Sequence, residues 1–190
     1  FTDRRQRQMC IRDRKLWEGP NGEMPESGCC TASDSEDARR VASKLDIPYY
    51  VLDYTESFSK NVVENFTQMY AQGLTPNPCV ECNRSVKFDH FINQAKKLNC
   101  DKVATGHYAK IIKKNDKYEL HKADFLDKDQ SYVLHMLQSS DLENITFPLG
   151  EISKPEVRQI AARIGLRTAF KKDSQDICFV GKKDYRSFVE

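Results

Sequence analysis

The sequence of 190 residues contains no apolar run near the length of about 20 residues that a membrane span requires. It also lacks a basic start followed by an apolar stretch, which marks a secretory signal peptide. Its seven cysteines are odd in number and show no regular framework spacing, which is typical of a reducing compartment. The net charge of +2 gives no general argument for nucleic acid. These absences predict a cytoplasmic protein that has no membrane partner. The length of 190 residues predicts one domain, or one domain with an appendage.

The whole positive excess lies in residues 1–14, because the rest of the chain is slightly negative. This segment holds five arginines and shows neither a helical nor a strand period. One interpretation is an arm that binds nucleic acid through a local patch. We prefer the interpretation of a non-native leader, with no partner segment elsewhere in the chain.

Helical and strand patterns alternate along the following residues. Ser33 and Glu36 form a predicted capping box before one helix, and Ser153 and Glu156 form another before a helix that Gly165 ends. The other predicted elements are a strand at 49–54, a helix from Phe58 that Gly73 ends, a strand at 101–104, a hairpin turning at Asn115-Asp116, and a short helix with Tyr132 and Leu137. This alternation predicts an α/β fold with a mainly parallel sheet.

The stretch TPNPCVECNRSVKF (75–88) combines two prolines, two cysteines and the start of a helical period. Asn83 is the predicted N-cap, which places Cys82 just before a helix N-terminus. Backbone N–H dipoles and nearby cations stabilise a thiolate, so Cys82 is a candidate reactive cysteine. The residues alone leave half of a zinc site, a disulfide and packed thiols open as alternatives.

Five segments together resemble the tRNA-specific 2-thiouridylase family of the MnmA/TrmU type. They are TPNPCVECNRSVKF (75–88), ATGHYA (104–109), KDQSYVL (128–134), FPLGEISKPEVRQIA (147–161) and KKDSQDICFVGKKDYRSF (171–188). The resemblance implies a Rossmann-like PP-loop ATPase domain, of the adenine nucleotide alpha-hydrolase-like type, with helices flanking its sheet. It also implies an enzyme that transfers sulfur to C2 of the wobble uridine in tRNA.

By this resemblance, Cys82 is the nucleophile and Cys178 carries the persulfide. The mechanism requires the two cysteines to come within disulfide range, with Cα atoms below about 7 Å apart when bridged. Asn77, Pro78 and Cys79 match the segment that meets the extruded target base. Many family members have Asp at the position of Cys79.

The remaining predicted contacts lie in two other segments. Gly106 matches the contact with ATP, which is used together with Mg²⁺, and His107 follows at a tRNA-contact position. Lys128, Asp129 and Gln130 match a second tRNA-contact segment. The implied partners are tRNA and an upstream sulfur-donor protein or cysteine desulfurase relay.

The chain departs from the family pattern at its ends, because neither the first strand nor a phosphate-binding loop of the form SGGVDSS is present. We therefore expect an internal fragment that lacks the PP-loop and does not hydrolyse ATP alone. Its predicted parts are the leader (1–14), a partial nucleotide-binding domain (15–135) and a helical extension with the second cysteine (136–190). By the same resemblance, we expect the family's C-terminal tRNA-binding and β-barrel domains to lie outside these residues.

Three alternatives accompany this interpretation. In the first, Cys79, Cys82 and Cys178 hold a [4Fe-4S] cluster with one iron left open for sulfide, whereas the main interpretation has no metal ligands. In the second, the chain is a non-catalytic zinc or iron–sulfur module that binds nucleic acid. The third is a sister sulfurtransferase that acts on another base.

Overall fold

The computed structural model describes residues 9–17, 31–173, 177–180 and 188. The chain divides into two compact units. Unit 1 comprises Phe1–Leu74 and Lys172–Glu190, and unit 2 comprises Thr75–Lys171. This division does not coincide with the predicted boundary after residue 135.

Unit 1 combines two parallel strands with two helical regions. Its elements are β1 (Ile11–Lys15), α1 (Ala32–Lys44), β2 (Tyr49–Asp53), α2 (Thr55–Phe58), a π-helical segment (Ser59–Val63) and α3 (Glu64–Ala71). Gly73 ends the second region in a left-handed conformation with φ +75°, as predicted. Phe58 and Phe66 are 0% and 1% exposed, so the apolar stripe of this region forms the core of the unit.

The pairing of β1 with β2 corrects one expectation. Ile11 lies opposite Tyr49 and Lys15 opposite Asp53 in parallel register, so the prediction that residues 1–14 contain no strand and have no partner segment is wrong. Strand pairing uses backbone groups, and a strand with one neighbour tolerates charged side chains. An arginine-rich segment can therefore pair without an apolar period. Residues 1–8 lie outside the described residues.

Helix α1 begins two residues earlier than its predicted capping box. Thr31 is the N-cap, and its Oγ1 accepts a hydrogen bond from the backbone N–H of Asp34 at 3.1 Å. The Asp34 carboxylate accepts the Thr31 backbone N–H at 3.0 Å in return. The prediction of Ser33 as the cap is wrong because Thr31 and Asp34 supply the same reciprocal pair one half-turn earlier.

Unit 2 contains shorter elements in greater number. They are α4 (Pro78–Glu81), a π-helical segment (Cys82–His90), α5 (Phe91–Lys97), β3 (Val103–Ala104), β4 (Ala109–Lys114), β5 (Lys117–Lys122), 3-10 turns (Leu126–Lys128, Ser131–Val133 and Arg167–Phe170), α6 (Ser139–Leu142), β6 (Ile145–Thr146) and α7 (Lys154–Arg163). The short helix expected around Tyr132 is instead a single 3-10 turn.

Strand pairing explains why unit 2 extends past residue 135. β6 pairs in parallel with β3, and Ile145 joins Val103 in the buried core of this unit. The predicted hairpin is confirmed, because β4 and β5 are antiparallel and Asn115 and Asp116 both have positive φ. Helix α7 likewise begins and ends where the sequence predicts, with Ser153 as its N-cap.

Two of the three strand pairs among the described residues are parallel, and helices connect the strands. The observed class is therefore α/β, as expected. No helix in the described part of the chain is long and apolar enough to span a membrane.

Candidate active site

The segment with the first two cysteines is organised by Asn77. Its side-chain oxygen accepts hydrogen bonds from the backbone N–H groups of Cys79 and Val80, at 3.1 and 3.4 Å. Pro78 occupies the first helical position, where its missing N–H costs nothing because that group has no intrahelical partner. Helix α4 therefore begins at Pro78, and Cys79 is exposed at its second position.

This start corrects the predicted placement of Cys82. Asn83 is not an N-cap, because it lies inside a helical run that continues from α4 through the π-helical segment into α5. Cys82 is 6% exposed and lies more than one turn inside that run. The argument that a helix N-terminus activates Cys82 is therefore wrong, since the N-terminal amide groups lie closer to Cys79.

Arg84 and Lys87 are the two cations expected near Cys82, and Arg84 is already paired with Glu81. The guanidinium of Arg84 donates to the Glu81 carboxylate, with Nη2–Oε2 and Nε–Oε2 distances of 2.7 and 3.1 Å. This hydrogen bond raises the pKa of Arg84. Glu81 thus balances one of the two charges that were expected to act on Cys82.

Asn83, next to Cys82, is among the most deeply buried residues of the chain, at 1% exposure. Its Nδ2 donates to the backbone oxygen of Val133 at 3.0 Å, across a sequence separation of 50 residues. This bond fastens the cysteine-bearing helical run to the Ser131–Val133 turn.

Gly106 follows β3 at the edge where the parallel strands β3 and β6 end, a common ligand position in α/β folds. A Cβ built at Gly106 would meet only Leu149 Cδ1, at 3.9 Å. Its φ is not in the left-handed region. Neither packing nor backbone conformation therefore requires glycine here, and the space beside it fits a close approach by a nucleotide.

His107 is half-buried and packs against two phenylalanine rings that also contact each other. Its Nδ1 lies 2.8 Å from Thr105 Oγ1, and its ring centroid lies 5.9 Å from those of Phe88 and Phe147. The ring is thus oriented by its own unit. Because Phe88 belongs to the π-helical segment that starts at Cys82, His107 is also linked to the cysteine helix.

The segment Lys128–Gln130 is held largely by its own side chains. Asp129 accepts hydrogen bonds from the Ala123 backbone N–H at 2.8 Å and from Ser131 Oγ at 2.7 Å. Burial opposes ionisation of Asp129, but these hydrogen bonds outweigh it and lower its pKa. Gln130 exchanges two hydrogen bonds with the backbone of Tyr108, at 2.8 and 3.1 Å.

The structure therefore connects three predicted parts of the site within unit 2: the helix with Cys82, the loop with Gly106 and His107, and the segment Lys128–Gln130. Phe88 joins the cysteine helix to His107, Tyr108 joins that loop to Gln130, and Asn83 joins the helix to Val133. Sequence reasoning identified the three groups but missed Asn83 as their link, because it assigned this residue to a helix cap.

Cys178 lies in unit 1, on a turn that is closed by a 3.1 Å hydrogen bond from Val180 N–H to the Ile177 oxygen. The thiol-bearing residue is half-buried. Its neighbour Phe179 is 5% exposed and packs against Phe58 and Phe66, with ring centroids 5.8 and 5.2 Å away. Phe179 thus anchors the turn of Cys178 in the core of unit 1. No sequence motif predicted this role.

The described residues contain no group of three or more His, Cys, Asp or Glu side chains arranged to hold a metal ion.

Comparison with known proteins defines the class first. A family model described as tRNA methyl transferase HUP domain matches residues 6–182, and the chain belongs to this family. Its fold is the Rossmann-like α/β arrangement of PP-loop ATPases, with parallel strands and flanking helices. The match includes residues 6–14, which belong to the segment that was predicted to be a non-native leader.

Relatives of this chain carry a more specific name. It is 48% identical over 175 residues to the tRNA-specific 2-thiouridylase MnmA of Chloroflexus aurantiacus and 47% identical over 176 residues to that of Clostridium botulinum. The MnmA of Leptospira interrogans is 45% identical over 174 residues. These alignments cover 92% of this chain and 46–49% of the relatives, so the chain spans about half their length. The resemblance inferred from the motifs is confirmed.

Proposed function

We propose that this chain forms the catalytic portion of an enzyme that converts the wobble uridine of tRNA to 2-thiouridine. The observation that carries the proposal is the 45–48% identity to tRNA-specific 2-thiouridylases across 92% of the chain. The connected groups around Cys82 support it, because they join a cysteine, an open glycine edge and an anchored loop within one unit. Function in the cytoplasm, where tRNA and thiols occur together, is part of the proposal.

The two cysteines divide the sulfur transfer between them. ATP activates the C2 oxygen of uridine as a leaving group. The terminal sulfur of a persulfide on Cys178 attacks C2, and AMP departs with that oxygen. The thiolate of Cys82 then attacks the Cys178 sulfur of the mixed disulfide, which releases 2-thiouridine and leaves a disulfide between Cys82 and Cys178. A thiol reductant and a sulfur-donor protein or cysteine desulfurase relay restore the persulfide for the next turnover.

Gly106 would lie against the nucleotide, since its exposed edge leaves room that no side chain of unit 2 needs. Mg²⁺ would accompany the ATP phosphates. Residues outside this chain's alignment with its relatives would complete the phosphate site, because the chain contains no PP-loop motif.

The tRNA would contact three segments. Asn77, Pro78 and Cys79 would meet the extruded base, with Cys79 exposed at the start of α4. His107 would contact the RNA from its packed position, and so would Lys128–Gln130. Because Asp129 and Gln130 are committed to internal hydrogen bonds, this last segment would present backbone groups and Lys128 to the RNA.

Cysteine at position 79, where many family members have Asp, favours a variant of the same proposal. In this variant Cys79, Cys82 and Cys178 would hold a [4Fe-4S] cluster, which would supply the sulfur as sulfide. Metal and acid-labile sulfide analysis of anaerobically purified protein separates the two. A measured content of about four irons per chain would favour the cluster mechanism over the persulfide mechanism. Stoichiometric zinc without iron would indicate a binding module instead.

The decisive experiment joins the chain to the flanking segments of the Chloroflexus aurantiacus relative, of which the chain spans 49%, and assays this flank-restored protein for thiolation of tRNA on mercury-containing gels. We expect Cys82→Ser and Cys178→Ser to abolish 2-thiouridine formation. Cys100→Ser, a half-buried cysteine outside the site, is the matched control and keeps activity. Full activity in both Cys82→Ser and Cys178→Ser would refute the assigned roles, and thiolation of another base would identify a sister sulfurtransferase.

A further inference from the structure

The buried amide of Asn83 is only half satisfied. Nδ2 donates to the Val133 oxygen, whereas Oδ1 is buried and has no hydrogen-bond partner among the described residues. Buried polar atoms without a partner are rare and unfavourable. A leucine of similar size would fill the same space and remove the unpaired Oδ1, but it would leave the Val133 oxygen without the Asn83 donor, so the two effects on stability should largely offset each other. Packing alone therefore does not explain an asparagine here.

The position of the Val133 carbonyl indicates what the hydrogen bond from the Asn83 amide does. Val133 ends the 3-10 turn that begins immediately after Gln130, and its N–H donates to the Gln130 oxygen at 3.2 Å. Ser131, in the same turn, donates to Asp129 at 2.7 Å. The carbonyl that Asn83 holds therefore belongs to a turn that is rigidly joined to Lys128–Gln130.

The backbone at Asn83 makes such an anchor useful. The segment Cys82–His90 is π-helical, and π-helical turns are uncommon and often mark functional sites. Asn83 is the second residue of this segment, directly after Cys82. A hydrogen bond from this point to another element fixes the start of the segment, where the thiol is attached.

We propose that Asn83 is a positioning residue that sets the place of the Cys82 thiol relative to Lys128–Gln130. This inference rests on the proposed function for what Cys82 does, but not for the anchor itself. Asn83 does not touch substrate. It acts through Cys82, so its loss changes the thiol's accessibility and the rate of the chemical step more than tRNA affinity.

The test compares Asn83→Leu with Ser85→Ala. Ser85 is the matched control because its hydroxyl donates to the Glu81 oxygen at 2.9 Å within the same helical run and joins no second element. On the chain itself, thermal unfolding is followed together with the rate of Cys82 alkylation by iodoacetamide, read by mass spectrometry from pH 6 to pH 9. The flank-restored protein supplies kcat and the KM for tRNA.

We expect Asn83→Leu to unfold at about the parent temperature and to alkylate at Cys82 about fivefold or more faster, because the buried thiol is no longer held. Its kcat should fall about 10- to 100-fold while KM changes less than about threefold. Ser85→Ala should match the parent in every measurement.

A kcat and an alkylation rate both within about twofold of the parent would overturn the inference. If Asn83→Leu fails to fold, Asn83→Thr takes its place, since it keeps a hydrogen-bond donor. It must then show a smaller loss of kcat than Asn83→Ala, and an equal loss also overturns the inference. Failure of the proposed function looks different, because Cys82→Ser would then remain active whatever Asn83 does.

Discussion

Phe179 meets Phe66 edge-on in the core of unit 1, with ring centroids 5.2 Å apart and ring planes at 87°. This geometry is a favourable aromatic arrangement. Because Phe179 directly follows Cys178, the side chain that positions the second cysteine is a core residue rather than a polar neighbour.

We expect Phe179→Ala to lower the free energy of unfolding by about 3–5 kcal/mol, because it removes a buried ring and leaves a cavity. Trp17, the only tryptophan, lies 6.3 Å from the Phe179 ring and reports the transition by its fluorescence during urea unfolding. Phe170→Ala is the control, since Phe170 is 75% exposed and its loss should change stability by less than about 0.5 kcal/mol. Equal effects of the two substitutions would contradict this packing role.

Substitution by alanine should destabilise the chain at Gly150 but not at Gly106, both in unit 2. A Cβ at Gly150 would collide with the Ala109 backbone oxygen and lie 2.7 Å from Lys110 Cγ, whereas a Cβ at Gly106 has room. Gly150→Ala should therefore destabilise the chain by about 1–3 kcal/mol. Gly106→Ala should leave stability unchanged and weaken ATP binding by the flank-restored protein, measured by calorimetry. Unchanged ATP affinity in Gly106→Ala would remove this residue from the nucleotide site.

Two substitutions of Asn77 distinguish its role as a helix N-cap from its proposed contact with the target base. Asn77→Ala removes the acceptor for two backbone N–H groups and should cost about 1 kcal/mol. Asn77→Asp keeps an acceptor, and its negative charge suits a helix start, so stability should be retained. Both variants should lose thiolation if the carboxamide meets the base. Full thiolation by Asn77→Asp would leave Asn77 with the capping role alone.

The lowered pKa of Asp129 predicts how the Lys128–Gln130 segment responds to acid. Because hydrogen bonds lower its pKa in the folded chain, its contribution to stability is complete above the unfolded value of about 4 and is lost as pH falls through the lower folded value. Asp129→Asn should cost about 1–3 kcal/mol at neutral pH and flatten the dependence below about pH 4. Urea unfolding between pH 7 and pH 2 measures both effects. Asp127→Asn, at an exposed neighbouring position, should follow the parent curve, and a parent-like curve for Asp129→Asn would disprove the coupling.

Local chemistry made several features predictable from the sequence. Asn115-Asp116 accepts positive φ, Ser153 accepts an N–H at a helix start, and Gly165 adopts the left-handed conformation after α7. Each of these signals acts within four residues, so the sequence carries it directly. The roles that the motifs assign to Cys82, Cys178 and Gly106 stay predictions.

The features that escaped prediction depend on distant partners or on competition between neighbours. Asn77 and Asn83 are both suitable caps, and only the placement of Pro78 and the burial of Asn83 decide between them. Strand β6 has two residues and is recognisable only through its pairing with β3. The packing role of Phe179 depends on its contacts with Phe58 and Phe66, which are distant in sequence, so no local pattern predicts it.

The order of synthesis gives the division of the chain a consequence for folding in the cell. Unit 1 is built from two stretches, and all of unit 2 is translated between them. Phe58 and Phe66 therefore leave the ribosome about 115 to 120 residues before Phe179, which at about 5–20 residues per second is a delay of about 6 to 24 seconds. During that interval the aromatic core of the first stretch lacks the rings of Phe179 and Phe188, which both pack against Phe66. A nascent chain stalled before Phe179 would offer this apolar surface to chaperones, even when unit 2 has already folded.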